Sequence, residues 1–235
     1  GSLGRTEKVA GGADESIFQP EWSPDGILHF VSDQTGWWNL YRWHEGQTEA
    51  LTELEAELGR PQWRMGFSTY AFLSSDRIIF AYTENGIWNL AGLNIGEKID
   101  PIKAPFTEIS YLKACKDYAL FVAGSPSEPI SVVLLSFPSE KMKVLRRSSR
   151  AVIDQDYISR PEAIEYPSGD GLLAHAFYYR PKNKDFQALP GERPPLLVIS
   201  HGGPTGTASS ALNLMIQHWT SRGIAVLDVN YGGST

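Results

Sequence analysis

A repeat of about 50 residues in the first 150 and a strand–helix–strand pattern in the last 40 predict two kinds of β structure in this chain. The first is three blades of a larger β-propeller, because short aromatic-rich strands separated by glycine, proline and asparagine turns recur every 40–50 residues or so. The second is the opening of an α/β sheet, because two apolar strands joined by an amphipathic helix form a βαβ unit. All but one of the seven tryptophans lie before residue 90, in the first part.

The clearest repeated unit is a β-hairpin. Phe30–Leu40 and Phe80–Leu90 align without a gap and share Phe, Gly, Trp, Asn and Leu at equivalent positions. Each copy is a strand, a polar glycine turn and a second strand. A shared landmark precedes each copy, Gln19–Trp22 in the first and Arg60–Trp63 in the second. A third, weaker copy without tryptophan covers Tyr118–Leu135.

These repeats predict blades at about residues 17–57, 58–104 and 105–147, within a first domain of residues 1–150. Because propellers typically have four to eight blades, three blades form part of a ring, and we expect the propeller to extend beyond this sequence. A β-sandwich containing similar hairpins is the alternative fold.

Residues 151–235 have a different pattern and form the second predicted domain. Pro161–Tyr166 and Leu172–Tyr179 alternate apolar and polar residues around a turn, which predicts an antiparallel hairpin. Leu196–Ser200 is a continuous apolar run and predicts a strand buried on both faces. Ile224–Asn230 predicts a second buried strand, parallel to the first.

Ser209–Arg222 is predicted to form the helix between these two strands. Its apolar residues follow the i, i+3, i+4, i+7 spacing of one helical stripe. The stripe consists of Leu212, Met215, Ile216 and Trp219. Ser209 or Ser210 can cap the start, and Gly223 can stop the helix just past its last residue.

Composition excludes several classes of protein. A net charge of −6 without a basic cluster argues against a nucleic-acid partner. No apolar run reaches the roughly 18–20 residues of a membrane span, and no targeting segment is visible. Cys115, the only cysteine, is expected to be a buried thiol in a reducing, cytoplasmic setting. His29, His44 and His175 lack the spacing of metal ligands and are predicted to be structural, so we expect neither a metal nor a cofactor.

The strand Leu196–Ser200 ends in His201-Gly202-Gly203-Pro204. Glycine turns between a strand and a helix bind dinucleotides or stabilise oxyanions through their backbone N–H groups. The Rossmann fingerprint needs Gly-x-Gly-x-x-Gly, whereas the glycine spacing here differs and Pro204 removes one N–H group. A P-loop would need Gly-Lys-Ser/Thr, which is absent. The oxyanion turn of acyl-transfer enzymes is therefore the favoured interpretation, with roughly 3 kcal/mol of transition-state stabilisation for each donor.

The segments Ile199–Pro204 and Asp228–Thr235 resemble the start of the catalytic domain in the prolyl oligopeptidase family of serine peptidases. They are most similar to its acylaminoacyl-peptidase and dipeptidyl-aminopeptidase-like branch. Gln19–Leu40 resembles a propeller blade of that branch, and Arg160–Arg180 resembles the hairpin that opens its hydrolase domain. The resemblance implies a β-propeller followed by the opening part of an α/β-hydrolase domain. It also implies a Ser-Asp-His triad and peptide substrates of limited size.

The resemblance also implies roles for four residues. The backbone N–H of Gly203, or of Gly202, would be one oxyanion donor. His201 stands where some relatives carry a tyrosine whose hydroxyl stabilises the oxyanion. Tyr231 belongs to a segment that would line the floor of the active site, and it is a candidate for substrate binding.

One part of the family pattern is missing, because no Gly-x-Ser-x-Gly motif occurs and the nucleophile elbow is absent. The family places its triad beyond the position of Thr235, so Ser200, His201 and His218 receive no triad role. Asp228 is likewise interpreted as an ordinary strand-end carboxylate. We therefore expect this chain to be inactive alone. A non-catalytic propeller that binds a partner, or an esterase-type hydrolase, are the alternative functions.

Overall fold

A computed structural model describes residues 4–203, 205–232 and 234 of the chain. Within these residues the strands form four separate four-stranded sheets. The first sheet contains β1–β4, the second β5–β8 and the third β9–β12, each in chain order. The strands of these three sheets are β1 (Ile17–Trp22), β2 (Leu28–Ser32), β3 (Asn39–His44), β4 (Gln47–Ala50), β5 (Tyr70–Phe72), β6 (Arg77–Glu84), β7 (Ile87–Asn94), β8 (Asp100–Ile102), β9 (Glu108–Cys115), β10 (Tyr118–Ser125), β11 (Glu128–Ser136) and β12 (Lys141–Arg147).

All three sheets are antiparallel meanders, and the three predicted hairpins are confirmed. They are the pairs β2/β3, β6/β7 and β10/β11. The turn between β6 and β7 has two residues, Asn85 and Gly86, and both have positive φ angles. Asn-Gly is the favoured sequence for such a turn, because its backbone twist matches that of the flanking strands.

The middle sheet is packed on both faces, which favours successive propeller blades over a sandwich with a single core. Ile78 and Phe80 of β6 belong to a core shared with the first sheet, whereas Ile79 and Ala81 belong to a core shared with the third. All four side chains are at most 1% exposed. Burying a side chain the size of Ile or Phe stabilises the fold by about 1.5–3 kcal/mol. The exact blade limits and the division of the chain at residue 150 stay predictions.

Gln19 fixes the first sheet against the second. Its side chain donates from Nε2 to the carbonyl of Tyr70 (2.8 Å) and accepts from the N–H of Thr69 (2.7 Å). The Tyr70 hydroxyl donates in return to the carbonyl of Gln19 (2.8 Å). This exchange satisfies polar groups at the buried junction between two sheets.

The fourth sheet is mixed, with strands in the order β13-β14-β16-β15. Its elements are β13 (Pro161–Pro167), β14 (Leu173–Tyr179), β15 (Leu196–Ser200), α1 (Leu214–Thr220) and β16 (Ala225–Asn230). The predicted β13/β14 hairpin and the predicted parallel pairing of β15 with β16 are both confirmed. No complete α/β-hydrolase domain is present in the described residues, in which this sheet, α1 and two short 3-10 helices are the regular elements beyond the three antiparallel sheets.

Helix α1 is shorter than predicted, and the predicted N-terminal caps are wrong, whereas Gly223 does follow the helix with a positive φ angle. Asn213 caps it, since its side chain accepts from the N–H of Met215. Ser209 donates instead to Glu108 (3.2 Å), and Ser210 donates to the Thr107 hydroxyl (2.8 Å). These bonds hold the segment before α1 against the third sheet, so it does not join the helix. None of the helices in the described residues is long and apolar enough to cross a membrane.

The prediction that β15 is buried on both faces is wrong. Leu197 and Ile199 pack against the core beneath α1, but Leu196 and Val198 on the opposite face are 54% and 56% exposed. The reason is the position of β15 at the edge of the sheet, where the described residues cover one face only.

The prediction of a buried Cys115 is also wrong, because the thiol is exposed. Cys115 is the last residue of β9, next to the turn into β10, and pairs there with Tyr118. The apolar residues that suggested burial lie further along the strands.

Candidate active site

The glycine turn begins directly after β15 and is open to solvent. Gly202 and Gly203 are both exposed, and Gly203 has a φ angle of +82°. Within the described part of the chain, the backbone N–H groups of these two residues donate to no backbone acceptor. Pro204, which the sequence argument used, lies outside the described residues. The turn therefore presents two N–H groups that a ligand oxygen could approach.

Tyr231 holds the other side of this turn. Its hydroxyl donates to the carbonyl of Gly203 (2.8 Å), and its ring stacks on the His201 ring with centroids 4.5 Å apart. Because Tyr231 follows β16 and His201 follows β15, the parallel strands bring the two residues together where the carboxyl ends of both strands lie. The structure thus gathers the four predicted site residues, Gly202, Gly203, His201 and Tyr231, at one place.

His201 supports the turn through a third residue. Its Nε2 lies 2.7 Å from the hydroxyl of Ser234, and that hydroxyl donates to the carbonyl of Tyr231 (2.7 Å). Since the Ser234 proton is used for that bond, Nε2 must carry the proton that joins His201 to Ser234. The other ring nitrogen, Nδ1, is buried and has no partner among the described residues. In this geometry His201 braces Tyr231 instead of pointing at the exposed N–H groups.

Gly206 closes the turn at a position where only glycine fits. A Cβ atom there would lie 2.8 Å from both the Gly202 carbonyl and His201 Nδ1. Asn230 then fixes the chain leaving the turn, because its side-chain oxygen accepts from the N–H of Ala208 (2.8 Å). Neither position was predicted from the sequence, although a glycine three residues after Gly203 is a signal of a further close approach.

Asp228 lies beneath this site on β16, and burial raises its pKa from 3.8 to about 6, partly offset by the charge of His201. A group whose folded-state pKa is raised favours folding below its unfolded pKa, and that stability is lost as the pH rises through the folded value. The ionised carboxylate therefore destabilises the fold above about pH 6.

We expect Asp228→Asn to stabilise the protein at pH 8 and to have little effect at pH 4. The shift from 3.8 to about 6 corresponds to an upper limit of about 3 kcal/mol. Because Asp228 keeps partial contact with water, which screens its charge, we expect about 1 kcal/mol. Urea unfolding at both pH values measures the difference. An equal effect at the two values would show that ionisation of Asp228 is not its cause.

Trp63, from the loop before β5, reaches the turn from the side of the second sheet. Its indole Nε1–H donates to the Thr205 hydroxyl (3.0 Å), and its Cζ2 would lie 3.2 Å from a Cβ atom at Gly203. Trp63 was predicted only to be a repeat landmark matching Trp22. Trp22 ends strand β1, however, whereas Trp63 lies outside any strand.

The sequence does indicate this loop, because the second repeat is longer than the first. From the landmark tryptophan to the hairpin glycine, the first copy runs from 22 to 36 and the second from 63 to 86, which is nine residues longer. Long insertions between regular elements are often functional.

A buried ion pair fixes the base of this loop. The Arg60 guanidinium lies 2.7 Å from Glu108 and 3.7 Å from the centroid of the Trp88 ring, and it also donates to the carbonyl of Ile109. Burial lowers the pKa of Arg60, and Glu108 opposes that shift. Glu108 also accepts from Ser209, so a single carboxylate joins the second and third sheets to the segment that precedes α1.

The other chemically reactive residues lie away from the turn or point elsewhere. His218 is exposed on α1 beside Trp219. His29 is completely buried in β2, and His175 lies 3.6 Å from Glu165 on the exposed side of the β13/β14 hairpin. No group of three or more His, Cys, Asp or Glu residues in the described ranges is arranged to hold a metal ion.

The chain is similar to several solved structures. No family model matches the chain, and no curated protein does. Among solved structures, a puromycin-hydrolyzing peptidase of Mycobacterium tuberculosis superposes with a TM-score of 0.91 and 35% identity over 97% of this chain. A puromycin hydrolase matches all of the chain with a TM-score of 0.91 and 34% identity. One structure from a study of two prolyl endopeptidases shares the fold with a TM-score of 0.74 at 15% identity.

This chain spans only about a third of those proteins, 36% of each of the first two and 32% of the third. The match nevertheless runs through both the antiparallel sheets and the mixed sheet that carries the glycine turn. The chain is a fragment that belongs to the prolyl oligopeptidase family of serine peptidases.

Proposed function

We propose that this chain is part of a serine peptidase that hydrolyses short peptides through an acyl-enzyme, and that its glycine turn supplies half of the oxyanion hole. The observation that carries the proposal is the exposed turn at Gly202 and Gly203, whose N–H groups donate to no backbone acceptor among the described residues and in which Tyr231 holds the Gly203 carbonyl. An acyl-transfer enzyme needs such donors already oriented where negative charge develops on the carbonyl oxygen. Gly203 is the proposed donor, since its positive φ and its bonded carbonyl fix the peptide on either side of it.

The mixed sheet is proposed to be the opening part of an α/β-hydrolase domain, within residues 151–235. In such domains an N–H in the loop after an early strand acts together with the N–H that follows the nucleophile. The proposed triad lies in the remainder of the full-length protein, since the chain has no Gly-x-Ser-x-Gly motif. The exposed apolar face of β15 supports this proposal, because further parts of such a domain would cover Leu196 and Val198.

The antiparallel sheets, within residues 1–150, are proposed to form part of a propeller that limits access to the turn. Trp63 and the Arg60–Glu108 pair support this, because they place the second and third sheets directly beside the site. The substrates proposed are short peptides with either a free or an acylated N-terminus. The cytoplasmic setting stays a prediction.

The chemistry is tested by phosphonylation of the full-length protein with an alkyl fluorophosphonate. We expect one label per chain, and no label on residues 1–235 prepared alone. Hydrolysis of alanine p-nitroanilide and of its N-acetyl derivative then distinguishes an aminopeptidase from an acylaminoacyl-peptidase. A full-length protein that takes no label would contradict the peptidase and favour a propeller that only binds a partner. Hydrolysis of p-nitrophenyl acetate alone would favour an esterase.

A further inference from the structure

Trp63 contacts the glycine turn on both sides of position 204. Its ring packs over Gly203, where a Cβ atom would lie 3.2 Å from Cζ2. Its Nε1–H donates to Thr205 at 3.0 Å. One rigid indole therefore spans the segment that follows the proposed oxyanion donor.

Burial in a core does not explain this tryptophan. Its side chain is 56% exposed, so the apolar surface that it removes from water is modest. Trp22, which occupies the matching landmark of the first repeat, is 68% exposed and lies at the end of β1. The two residues are thus both tryptophans of similar exposure, but only Trp63 contacts the turn.

The loop that carries Trp63 is anchored at its base. Arg60 anchors it through Glu108 and the face of Trp88. Three residues later the chain turns, with the N–H of Arg64 donating to the carbonyl of Pro61 (3.3 Å). The loop that carries the indole is therefore anchored at its base by residues of the second and third sheets, Trp88 and Glu108.

The turn needs such a constraint because glycine residues populate positive and negative φ angles almost equally. Tyr231 restrains the carbonyl of Gly203 from one side. Trp63 restrains the Cα of Gly203 and the hydroxyl of Thr205 from the other. Without the indole, one of the two restraints on the positive φ of Gly203 would be lost.

We propose that Trp63 is a positioning residue, contributed by the propeller side, that holds the Gly203 N–H in the orientation needed to bind the oxyanion. This rests on the proposed peptidase function, since it assigns a role within that active site. Trp63 acts through Gly203 and need not touch the substrate.

The test compares four full-length proteins, the wild type, Trp63→Ala, Trp63→Phe and Trp22→Ala, by their rate of phosphonylation with a fluorophosphonate. Losing one oxyanion donor costs about 10²–10³-fold, so displacing it should cost about 10–100-fold in Trp63→Ala. Trp63→Phe keeps a ring over Gly203 and should lose less than about 5-fold. Trp22→Ala should react like the wild type, and all four proteins should melt within a few degrees of one another.

A kinetic comparison separates positioning from a purely structural role. With the p-nitroanilide that the protein hydrolyses, Trp63→Ala should lower kcat and leave KM within about threefold, because a transition-state interaction is lost. Equal rates in Trp63→Ala and the wild type would overturn the proposal, as would equal losses in Trp63→Ala and Trp22→Ala. A wild type that takes no label would overturn the peptidase function itself, and this proposal with it.

Discussion

Replacing Glu108 with glutamine should lower the free energy of unfolding by about 3 kcal/mol, because it leaves the Arg60 charge buried without a counter-charge. The two side chains are only 8% and 13% exposed, and their atoms lie 2.7 Å apart. The Trp88 ring and the Ile109 carbonyl would still contact the guanidinium, which keeps the loss toward the lower end of the range for a broken buried pair. Urea unfolding of the protein at neutral pH measures the change.

Glu128 provides a matched control for this substitution. It pairs with Arg147 at 3.5 Å, but both side chains are 53% exposed. Glu128→Gln should therefore change stability by less than about 0.5 kcal/mol, since solvent screens an exposed pair. If the two variants lost the same stability, the pair that joins the sheets to the segment before α1 would not have the strength assigned to it.

Replacing Gly203 with alanine should reduce kcat/KM of the full-length peptidase by about 100-fold. A φ angle of +82° is strained for alanine, and the new Cβ would press on Trp63 at 3.2 Å. Relieving the backbone strain and the contact with Trp63 requires the turn to move. This movement displaces the Gly203 N–H from the 2.7–3.1 Å distance that an oxyanion requires. Steady-state hydrolysis of the preferred p-nitroanilide measures the loss.

Gly202 is the control for the Gly203 substitution. No atom lies within 4 Å of a Cβ added there, and its φ is not in the positive range. Gly202→Ala keeps its backbone N–H and should cost less than about fivefold. An equal loss of kcat/KM in both variants would mean that the turn tolerates no side chain at either position. Gly203 would then not be singled out as the oxyanion donor.

Much of the fold could be predicted from local patterns. The hairpins of the first three sheets follow from strands that alternate around glycine turns, such as Asn85-Gly86. The parallel pairing of β15 and β16 follows from the helix between them, because a strand–helix–strand crossover brings the chain back to start the second strand at the same end of the sheet as the first. The predicted site residues do lie together, because the ends of those two strands meet at one edge of the sheet.

The predictions that were wrong concern contacts between segments that are distant in the sequence. Ser209 and Ser210 are good helix caps in isolation, but they bond to Glu108 and Thr107 instead. The exposed face of β15 depends on what packs against the edge of a sheet, which an apolar run alone does not indicate. Trp63 was missed because its role depends on a loop that crosses from one sheet to the turn, although the extra length of the second repeat indicated that loop.

The central claim, that this turn stabilises an oxyanion, is tested most directly by a crystal structure of the full-length protein phosphonylated by a fluorophosphonate. The phosphonyl oxygen takes the place of the oxyanion of the tetrahedral intermediate. We expect this oxygen to lie about 2.7–3.1 Å from the backbone nitrogen of Gly203. A phosphonyl oxygen bound by other donors, with the Gly203 nitrogen more than about 4 Å away, would contradict it.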